Sequence, residues 1–140
     1  NFTGEWVFDE ELSIPDGWGF SQTATKLDIR HDRDSISLVR TQLVEYAGIT
    51  TQRESYGLDG GIKETDLWGN PLYTKVYYTP ESDSLVIETG TKYLRDEEVI
   101  ESTSREVWKL SDEGYRMEIR LTADNPWGRR NAYYIYQRKW

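Results

Sequence analysis

Three glutamates, Glu54, Glu64 and Glu106, are the side chains of this sequence that come closest to a catalytic set. Carboxyl groups that face one another at a suitable separation can serve as general acid and general base in hydrolysis. Inward-facing carboxylates can equally be structural, because a buried carboxylate needs a basic partner, which Arg40 or Arg138 could supply. No nucleophile–base spacing accompanies these glutamates. We therefore favour the structural interpretation and expect no enzyme, and we keep a hydrolase with interior carboxylates as the less favoured alternative.

The sequence offers little for metal, cofactor or thiol chemistry. It has no Cys, which excludes disulfides, Cys-based zinc sites and thiol catalysis. Its single His, His31, falls in a stretch (31–34) that predicts a hairpin turn. A lone surface histidine is weak support for a metal or haem site. We expect neither a metal nor a cofactor.

Length and charge indicate one domain over residues 1–140 that does not bind nucleic acid. A chain of 140 residues can bury a substantial core. The formal net charge of −8 opposes binding to a phosphate backbone, and no basic cluster favours a membrane surface. No apolar run approaches the ~20 residues of a membrane-spanning helix. Because the chain starts at Asn1 rather than Met, a removed secretory signal is one explanation, and we expect a periplasmic or secreted protein.

Turn signals divide the chain into about ten segments of ordinary strand length. The turns fall at 31–34, 47–48, 59–61, 69–71, 80–83, 95–98, 111–114 and 125–128. No convincing helical period lies between them, so we predict an all-β, antiparallel up-and-down meander barrel. Pairing of the first strand, at 4–8, with the last, at 132–138, would leave no exposed sheet edge. Residues 11–22, interrupted by Pro15 and Gly17, are predicted to form a loop across one end of the barrel.

The predicted inward face is apolar at one end of the barrel and polar at the other. Nearly all of the apolar inward positions lie beside the turns near residues 32, 60, 82 and 113. These positions are Leu27, Ile29, Ile36, Leu38, Tyr56, Leu58, Val76, Tyr78, Leu85, Ile87, Trp108, Leu110, Met117, Ile119, Tyr134 and Tyr136. The polar inward positions are Arg40, Gln42, Gln52, Glu54, Thr74, Thr89, Thr91, Ser102 and Ser104. This segregation predicts a packed base, where each buried apolar side chain contributes ~1.5–3 kcal/mol, below a wetter cavity. Alternatively, a bulge turns several polar residues outward and the core is solid.

The predicted outward positions are rich in charge. They include Lys26, Asp28, Arg30, Glu88, Arg105, Lys109, Arg116, Glu118 and Arg120. Lipid would exclude such charges. We therefore expect that the barrel is not embedded in a membrane.

The Gly4-x-Trp6 motif on the first strand, the following loop, the long meander and the aromatic, basic last strand together resemble the calycins. This superfamily comprises the lipocalins, the fatty-acid-binding proteins and bacterial lipocalin-like proteins. The resemblance spans the whole chain. It implies that Trp6 lies across the closed end of the barrel and that Arg138 packs over it as a cation on an aromatic ring. The order of turns and the ending at 134–139 are most similar to the ten-stranded fatty-acid-binding proteins.

Two departures from the fatty-acid-binding proteins are visible. Those proteins cover the mouth of the barrel with two helices, where this chain has the stretch 11–22. They hold the ligand carboxylate with an Arg-x-Tyr pair on the last strand, where this chain has Tyr134 and Tyr136. A fatty acid would therefore lack its usual counter-charge. The bacterial lipocalin-like proteins, mostly secreted or periplasmic, are the nearer group.

We predict that a small hydrophobic or amphipathic ligand binds, without catalysis, at the open, polar end of the barrel. The predicted ligand-binding residues are Trp18, Phe20, Arg40, Gln42, Gln52, Trp68, Thr89, Ser104, Trp127 and Tyr134. Their polar members would contact the ligand, and the tryptophans would form walls or fold down as a lid. The alternative function is a protein-interaction module, in which a filled barrel is the scaffold and the mouth loops bind the partner.

Overall fold

The computed structural model describes residues 1–14, 23–44, 48–67 and 69–139, which form ten β-strands and one turn of 3-10 helix. The strands are β1 (Gly4–Ile14), β2 (Lys26–His31), β3 (Ser35–Val44), β4 (Gly48–Gly57), β5 (Asp59–Leu67), β6 (Asn70–Thr79), β7 (Ser84–Arg95), β8 (Glu98–Ser111), β9 (Arg116–Asn125) and β10 (Gly128–Lys139). The helical turn is Asp112–Gly114. Within this part of the chain, no helix has both the length and the apolar character needed to cross a membrane.

The strands form one antiparallel sheet in the order β4-β3-β2-β1-β10-β9-β8-β7-β6-β5, which curls into a nearly closed barrel. The prediction of an all-β, ten-stranded meander is therefore confirmed. The first strand pairs with the last, as expected, with Trp6 opposite Arg138 and Phe8 opposite Tyr136. This arrangement is compatible with a calycin-like fold.

The expectation of a sheet without exposed edges is wrong. β4 and β5 are the two ends of the sheet, and no backbone ladder joins them within the described residues. The amide of Leu58, which lies between these strands, donates to the carbonyl of Asp34 at 2.9 Å rather than to the neighbouring strand. We call the opening between β4 and β5 the seam. It is bridged by a side chain, because the ammonium of Lys63 donates to the carbonyl oxygen of Ser55 at 2.9 Å.

β1 is longer than predicted. Residues 11–14, expected to belong to a loop, are part of the strand, while residues 15–22 lie outside the described residues. β1 is irregular in this part, because its pairing with β10 shifts in register between Asp9 and Ile14. Ser13 stabilises this bulge, since its hydroxyl donates to the carbonyl of Asp9 at 2.6 Å and accepts from the amide of Ile135 at 2.8 Å.

The predicted apolar end of the lumen is a packed core. Its buried residues are Phe2, Trp6, Ala24, Leu27, Ile29, Ile36, Leu38, Val76, Leu85, Ile87, Trp108, Met117, Ile119 and Tyr136. Trp6 has no exposed surface. Its indole N–H donates to the carbonyl of Phe2 at 2.9 Å, and the guanidinium carbon of Arg138 lies 4.5 Å from its ring centroid. The contact between Trp6 and Arg138 that the resemblance implies is therefore present.

His31 is not a surface residue in a turn, as the sequence suggested, but the last residue of β2 and only 8% exposed. Along β2, Leu27, Ile29 and His31 alternate with outward residues and all face inward, so the ring of His31 lies at the closed end of the barrel. Its Nδ1 accepts the amide hydrogen of Phe2 at 3.3 Å, and its ring meets the edge of Tyr78 at 4.9 Å. These contacts make His31 a packing residue.

Candidate functional site

The polar half of the lumen contains a cavity of about 460 Å³, which we call the lumen cavity. Residues of β3 and β4 line one side of it, residues of β8 and β9 line the other, and Ala24, which precedes β2, completes the lining. The lining residues are Ala24, Arg40, Gln42, Thr50, Thr51, Gln52, Ser104, Glu106 and Leu121. A second cavity of about 160 Å³ is lined by four of the same residues and extends toward β10; its further residues are Thr23, Ile119, Arg130, Tyr134 and Tyr136. The two cavities are therefore neighbouring parts of one polar space.

Strand register explains why these side chains meet. On the β3–β4 wall, Arg40 lies opposite Gln52 and Gln42 lies opposite Thr50. Directly opposite residues on antiparallel strands point to the same face, so these four side chains share the inward face. On the far wall Glu106 lies opposite Leu121. The period-two alternation of two separate hairpins thus brings a guanidinium, two amides and a carboxylate together.

Arg40 contacts two interior carboxylates. Its Nε lies 2.7 Å from Oε2 of Glu54, and its Nη2 lies 3.6 Å from Oε2 of Glu106. Burial raises the pKa of the Tyr56 hydroxyl, and the negative charge of Glu54 adds to this effect. Burial alone would lower the pKa of Arg40, but attraction to Glu106 and Glu54 outweighs it and raises the pKa above its ordinary value. Arg40 is therefore a permanent cation between two acids.

Glu106 has the less favourable environment of the two acids. Its pKa is raised above the ordinary glutamate value, first by burial and also by repulsion from Glu54, and the attraction of Arg40 only partly opposes this. Its contact with Arg40 is also 0.9 Å longer than the 2.7 Å contact that Glu54 makes, since 3.6 − 2.7 = 0.9. The carboxylate of Glu106 is thus both desolvated and weakly paired.

The packed core forms the floor of the lumen cavity. The guanidinium carbon of Arg40 lies 5.7 Å from the ring centroid of Trp108, which has no exposed surface. On the side wall, the hydroxyl of Tyr136 donates to the carbonyl of Ala24 at 2.7 Å and so ties the chain before β2 to β10. Burial raises the pKa of Tyr136, and the hydroxyl therefore stays neutral. Arg40 therefore lies at the boundary between the apolar base and the polar cavity.

Six of the ten predicted ligand-binding residues lie in or beside this space. Arg40, Gln42, Gln52 and Ser104 line the lumen cavity, and Tyr134 lines the smaller one. Thr89 lies beside the lumen cavity, where its hydroxyl shares a short hydrogen bond with that of Ser104.

Of the predicted aromatic walls, the structure describes Trp127, which is placed differently. Trp127 is 63% exposed in the turn between β9 and β10, stacked at 5.6 Å against the guanidinium of Arg95, and it lines neither lumen cavity. Trp18, Phe20 and Trp68 lie outside the described residues. A turn aromatic can lean outward as readily as inward, and sequence alternation does not extend into turns.

Of the residues that line the lumen cavity, the predicted site does not include Ala24, Thr50, Thr51, Glu106 and Leu121. Thr50 could have been found, because it precedes Gln52 by two residues on one strand, and Leu121 follows Ile119 in the same way. Glu106 was recognised only as a carboxylate. Nothing in the pattern indicated that Arg40 would contact Glu54 more closely than it contacts Glu106.

The three glutamates do not form an unpaired acidic set. Glu54 and Glu106 both contact Arg40. Glu64 is exposed on β5, opposite Tyr73, which is itself 42% exposed, so the expectation that it points inward is wrong. Among the described residues, no group of three or more His, Asp or Glu side chains could hold a metal ion. The hydrolase alternative needed two accessible carboxylates without basic partners, and these glutamates do not provide them.

A groove of about 680 Å³ lies outside the barrel across β1 to β4 and reaches Lys63 of β5. Its lining includes Ile29 and Leu38 together with the outward-facing residues Arg30, Ser37 and Arg53. It contains none of the predicted ligand-binding residues. Because Arg30 and Arg53 are exposed, its polar groups are already solvated.

Searches of the chain against family models, curated proteins and solved structures found no match.

Proposed function

We propose that this chain is a calycin-like barrel that binds a small molecule in the lumen cavity without catalysing a reaction. The observation that carries the proposal is the cavity of about 460 Å³ above a packed apolar floor. Cavities that hold small ligands measure about 300–1,000 Å³ and combine apolar walls with a few well-placed polar groups. Leu121 and Ala24 supply apolar surface, while Gln42, Gln52 and Ser104 supply hydrogen-bonding groups. The resemblance to bacterial lipocalin-like proteins also supports a periplasmic or secreted location.

A long-chain fatty acid fits this lining poorly. Arg40, one of the two arginines of this polar space, already contacts two carboxylates, and a ligand carboxylate would have to compete with Glu54 for it. Tyr134 stands on the last strand where the fatty-acid-binding proteins would place an arginine. The proposed ligand is therefore a compact molecule with hydrogen-bonding groups and one apolar side.

The protein-interaction module keeps one supporting observation, which is the 63% exposure of Trp127. That module needs a filled lumen, and the lumen cavity argues for the small molecule instead. If Trp127→Ala abolished binding of a partner protein while the lumen variants described below had no effect on it, the module would replace the ligand-binding barrel.

The test compares two phenylalanine substitutions on adjacent residues of β8. Ser104→Phe places a ring inside the lumen cavity, whereas Thr103→Phe places the same ring on the exposed outer face. Tryptophan fluorescence is titrated with a panel of small polar, aromatic and lipophilic compounds, with Trp108 as the reporter below Arg40.

We expect at least one compound to bind the unmodified protein and Thr103→Phe with similar affinity and to bind Ser104→Phe at least about tenfold more weakly. The proposal fails if no compound binds at millimolar concentration, or if Ser104→Phe folds normally and binds as well as the control.

A further inference from the structure

The groove on the outer surface of the sheet is separate from the lumen cavity. Its volume of about 680 Å³ lies within the range of cavities that hold small ligands. Short side chains create its depth, because Ser37 lies opposite Ser55 and the two hydroxyls are 3.3 Å apart. Longer side chains stand beside these serines: Arg30 is opposite Ser37, Arg53 precedes Ser55 by two residues, and Lys63 reaches the carbonyl of Ser55. The groove therefore has a shallow, neutral centre with basic side chains at its edges.

The lining of the groove carries an excess of positive charge. Its ionisable residues are three bases and two acids, namely Arg30, Arg53, Lys63, Asp28 and Glu54. One positive charge therefore remains in excess, whereas the whole chain has a formal net charge of −8. The carboxylate of Glu54 contacts Arg40 at 2.7 Å on the inward face of the sheet, so its charge is directed away from the groove. The groove is a locally basic region of an acidic protein.

The other acid of the lining, Asp28, belongs to a chain of ion pairs along the edge of the groove. Lys26 lies 3.6 Å from Asp28 and 2.8 Å from Glu5, and Lys139 lies 3.6 Å from Glu5. Two lysines thus stand against two carboxylates in this row. Asp28 does not need a base of the groove as its partner.

Two of the three bases are not neutralised by a carboxylate. Nε of Arg30 lies 3.4 Å from Asp32. Neither Arg53 nor Lys63 forms an ion pair within the part of the chain that the structure describes. The ammonium of Lys63 donates to the carbonyl of Ser55 at 2.9 Å, which fixes its position without cancelling its charge. An ammonium has three N–H donors, so this bond leaves others for a ligand.

An apolar surface lies next to these two cations. Val39 is half-buried and lies opposite Arg53 on β4 and opposite Asp28 on β2. The methylene stems of Arg53 and Lys63 extend this surface, since long basic side chains combine apolar stems with charged ends. A ligand that fits the groove therefore needs an apolar part and a negative charge at one end.

We propose that the groove is a second binding site, for a small amphipathic anion. The apolar part of the ligand packs against Val39, and its carboxylate, sulfonate or phosphate group accepts hydrogen bonds from Arg53 and Lys63. Charge-assisted hydrogen bonds of this type are shorter and stronger than neutral ones. The site is independent of the lumen cavity, because the two share no lining residue.

The size and charge of the groove favour a small molecule over larger partners. An anionic lipid surface would repel a chain with a net charge of −8. A strongly acidic peptide would need a row of cations, and the groove provides two that are unpaired. A second copy seated groove against groove would place Arg53 and Lys63 near their own equivalents, and like charges repel.

The experiment compares two fluorescent probes with one aromatic skeleton. Anilinonaphthalene sulfonate carries a negative charge, and N-phenylnaphthylamine is neutral. Each is titrated into the protein at about 20 mM and about 500 mM salt, because salt screens charge pairs at exposed sites. Naphthalene sulfonate, hexaglutamate and phosphatidylglycerol vesicles are then added as competitors, to distinguish a small anion from an acidic peptide and from a membrane.

Two substitutions at exposed positions alter the groove without touching the core. Arg53→Gln removes a charge, and Ser55→Phe fills the centre of the groove. The matched control is Lys109→Gln, which removes a positive charge from an exposed position on β8. Ser104→Phe, which fills the lumen cavity, separates binding in the groove from binding in the lumen.

We expect the sulfonate probe to bind at least about tenfold more tightly than the neutral probe at low salt, and high salt should reduce this difference. Arg53→Gln should weaken the sulfonate about fivefold, and Ser55→Phe at least about tenfold. Lys109→Gln should leave the affinity unchanged. The binding that depends on Arg53 should persist in Ser104→Phe, and naphthalene sulfonate should displace the probe.

The inference is overturned if the sulfonate probe does not bind at millimolar concentration or if the neutral probe binds equally well. It is also overturned if Arg53→Gln and Ser55→Phe bind the sulfonate as tightly as Lys109→Gln does. Loss of all binding in Ser104→Phe alone would assign the probe to the lumen cavity, which would leave the proposed function standing without a second site. Displacement by hexaglutamate or by the vesicles, but not by naphthalene sulfonate, would replace the small anion with that partner.

Discussion

At the scale of single residues, Trp6 and Arg138 show how a surface cation can stabilise the closed end of the barrel. Trp6 has no exposed surface, and the guanidinium carbon of Arg138 lies 4.5 Å from its ring centroid. A buried ring of this size fills volume that its neighbours cannot fill by relaxing. Its removal should therefore affect stability far more than the loss of the cation above it.

We predict that Trp6→Ala lowers the free energy of unfolding by roughly 3–5 kcal/mol and Arg138→Ala by less. Because the two side chains are in contact, the double variant should lose less stability than the sum of the single losses. Urea unfolding of the four proteins measures this coupling. Trp127→Ala is the control, since Trp127 is 63% exposed, and its effect should stay within about 0.5 kcal/mol. A larger loss from Trp127→Ala than from Trp6→Ala would reverse the closed and open ends.

A second residue-scale prediction concerns His31. Burial lowers its pKa below the ordinary value of 6.5. Protonation of Nδ1 would also remove the acceptor that the amide of Phe2 uses. A depressed pKa in the folded state means that the stabilisation is present above the ordinary value and is lost as the pH falls through the folded-state pKa.

The chain has a single histidine, so its NMR resonances need no assignment. We expect the ring protons to titrate below pH 6.5 in the folded protein and to return to the ordinary value in denaturing urea. His31→Gln should flatten the fall in unfolding free energy below that pH. A folded-state pKa at or above the ordinary value would contradict the buried position of the ring.

Residue types alone could predict which positions face inward, but not how interior charges pair. Alternation placed Arg40 and Glu54 on one face correctly, because period two holds along a regular strand. The alternation misplaced His31, because β2 continues where a turn was expected. It also misplaced Glu64, because the pairing of β5 with β6 begins with a shift in register. The choice of Arg40 between two acids depends on distances that differ by 0.9 Å (3.6 against 2.7 Å), and a pattern of residue types does not specify such differences.

At the scale of elements, the seam is the least supported part of the barrel. Nearly all of β4 and β5 is exposed, and the strands are not paired with each other. The ammonium of Lys63 bridges them through the carbonyl of Ser55 and lies 5.4 Å from the ring of Tyr56. Arg53 and Glu64 add charge to the two edges, a common protection against pairing with other chains.

We predict that the backbone amides of β4 and β5 exchange with solvent faster than those of β8 and β9, which are paired on both sides. Lys63→Ala should speed exchange further around residues 53–57, whereas the outward Lys109→Ala on β8 should not. Hydrogen–deuterium exchange with mass spectrometry resolves these segments. Equal protection across all ten strands would show that the seam is closed in solution.

Turn chemistry in the sequence predicted most strand boundaries but neither the seam nor the bulge in β1. A hairpin is the normal expectation when two strands are joined by a short Gly-rich link. Here the amide of Leu58 donates to Asp34, a residue of a different turn, and this contact exists only after β3 and β4 have paired. The bulge depends in the same way on a bond between Ser13 and Ile135, far apart in sequence. The local sequence alone does not identify such distant partners.

At the scale of the whole molecule, the division of the lumen into a packed base and a polar cavity follows from the sequence with few errors. The buried cluster agrees with the predicted apolar positions, and four of the predicted polar residues line the lumen cavity. The identity of the occupant does not follow, because it depends on how the charges of Arg40, Glu54, Glu106 and Arg130 are arranged after folding.

The pairing of β1 with β10 has a consequence for the order of events during folding. It joins residues at opposite ends of the sequence, such as Glu5 and Lys139. The long segment between them must therefore lose conformational entropy before the hydrogen bonds of this ladder can stabilise the fold. Chains dominated by such distant contacts fold in about milliseconds to seconds, far more slowly than helical bundles of similar stability. Arg40 and Glu106 lie on opposite walls and come within 3.6 Å only when those walls meet. The electrostatic environment of the cavity is thus established late, after both arms of the sheet have formed and the termini have joined them.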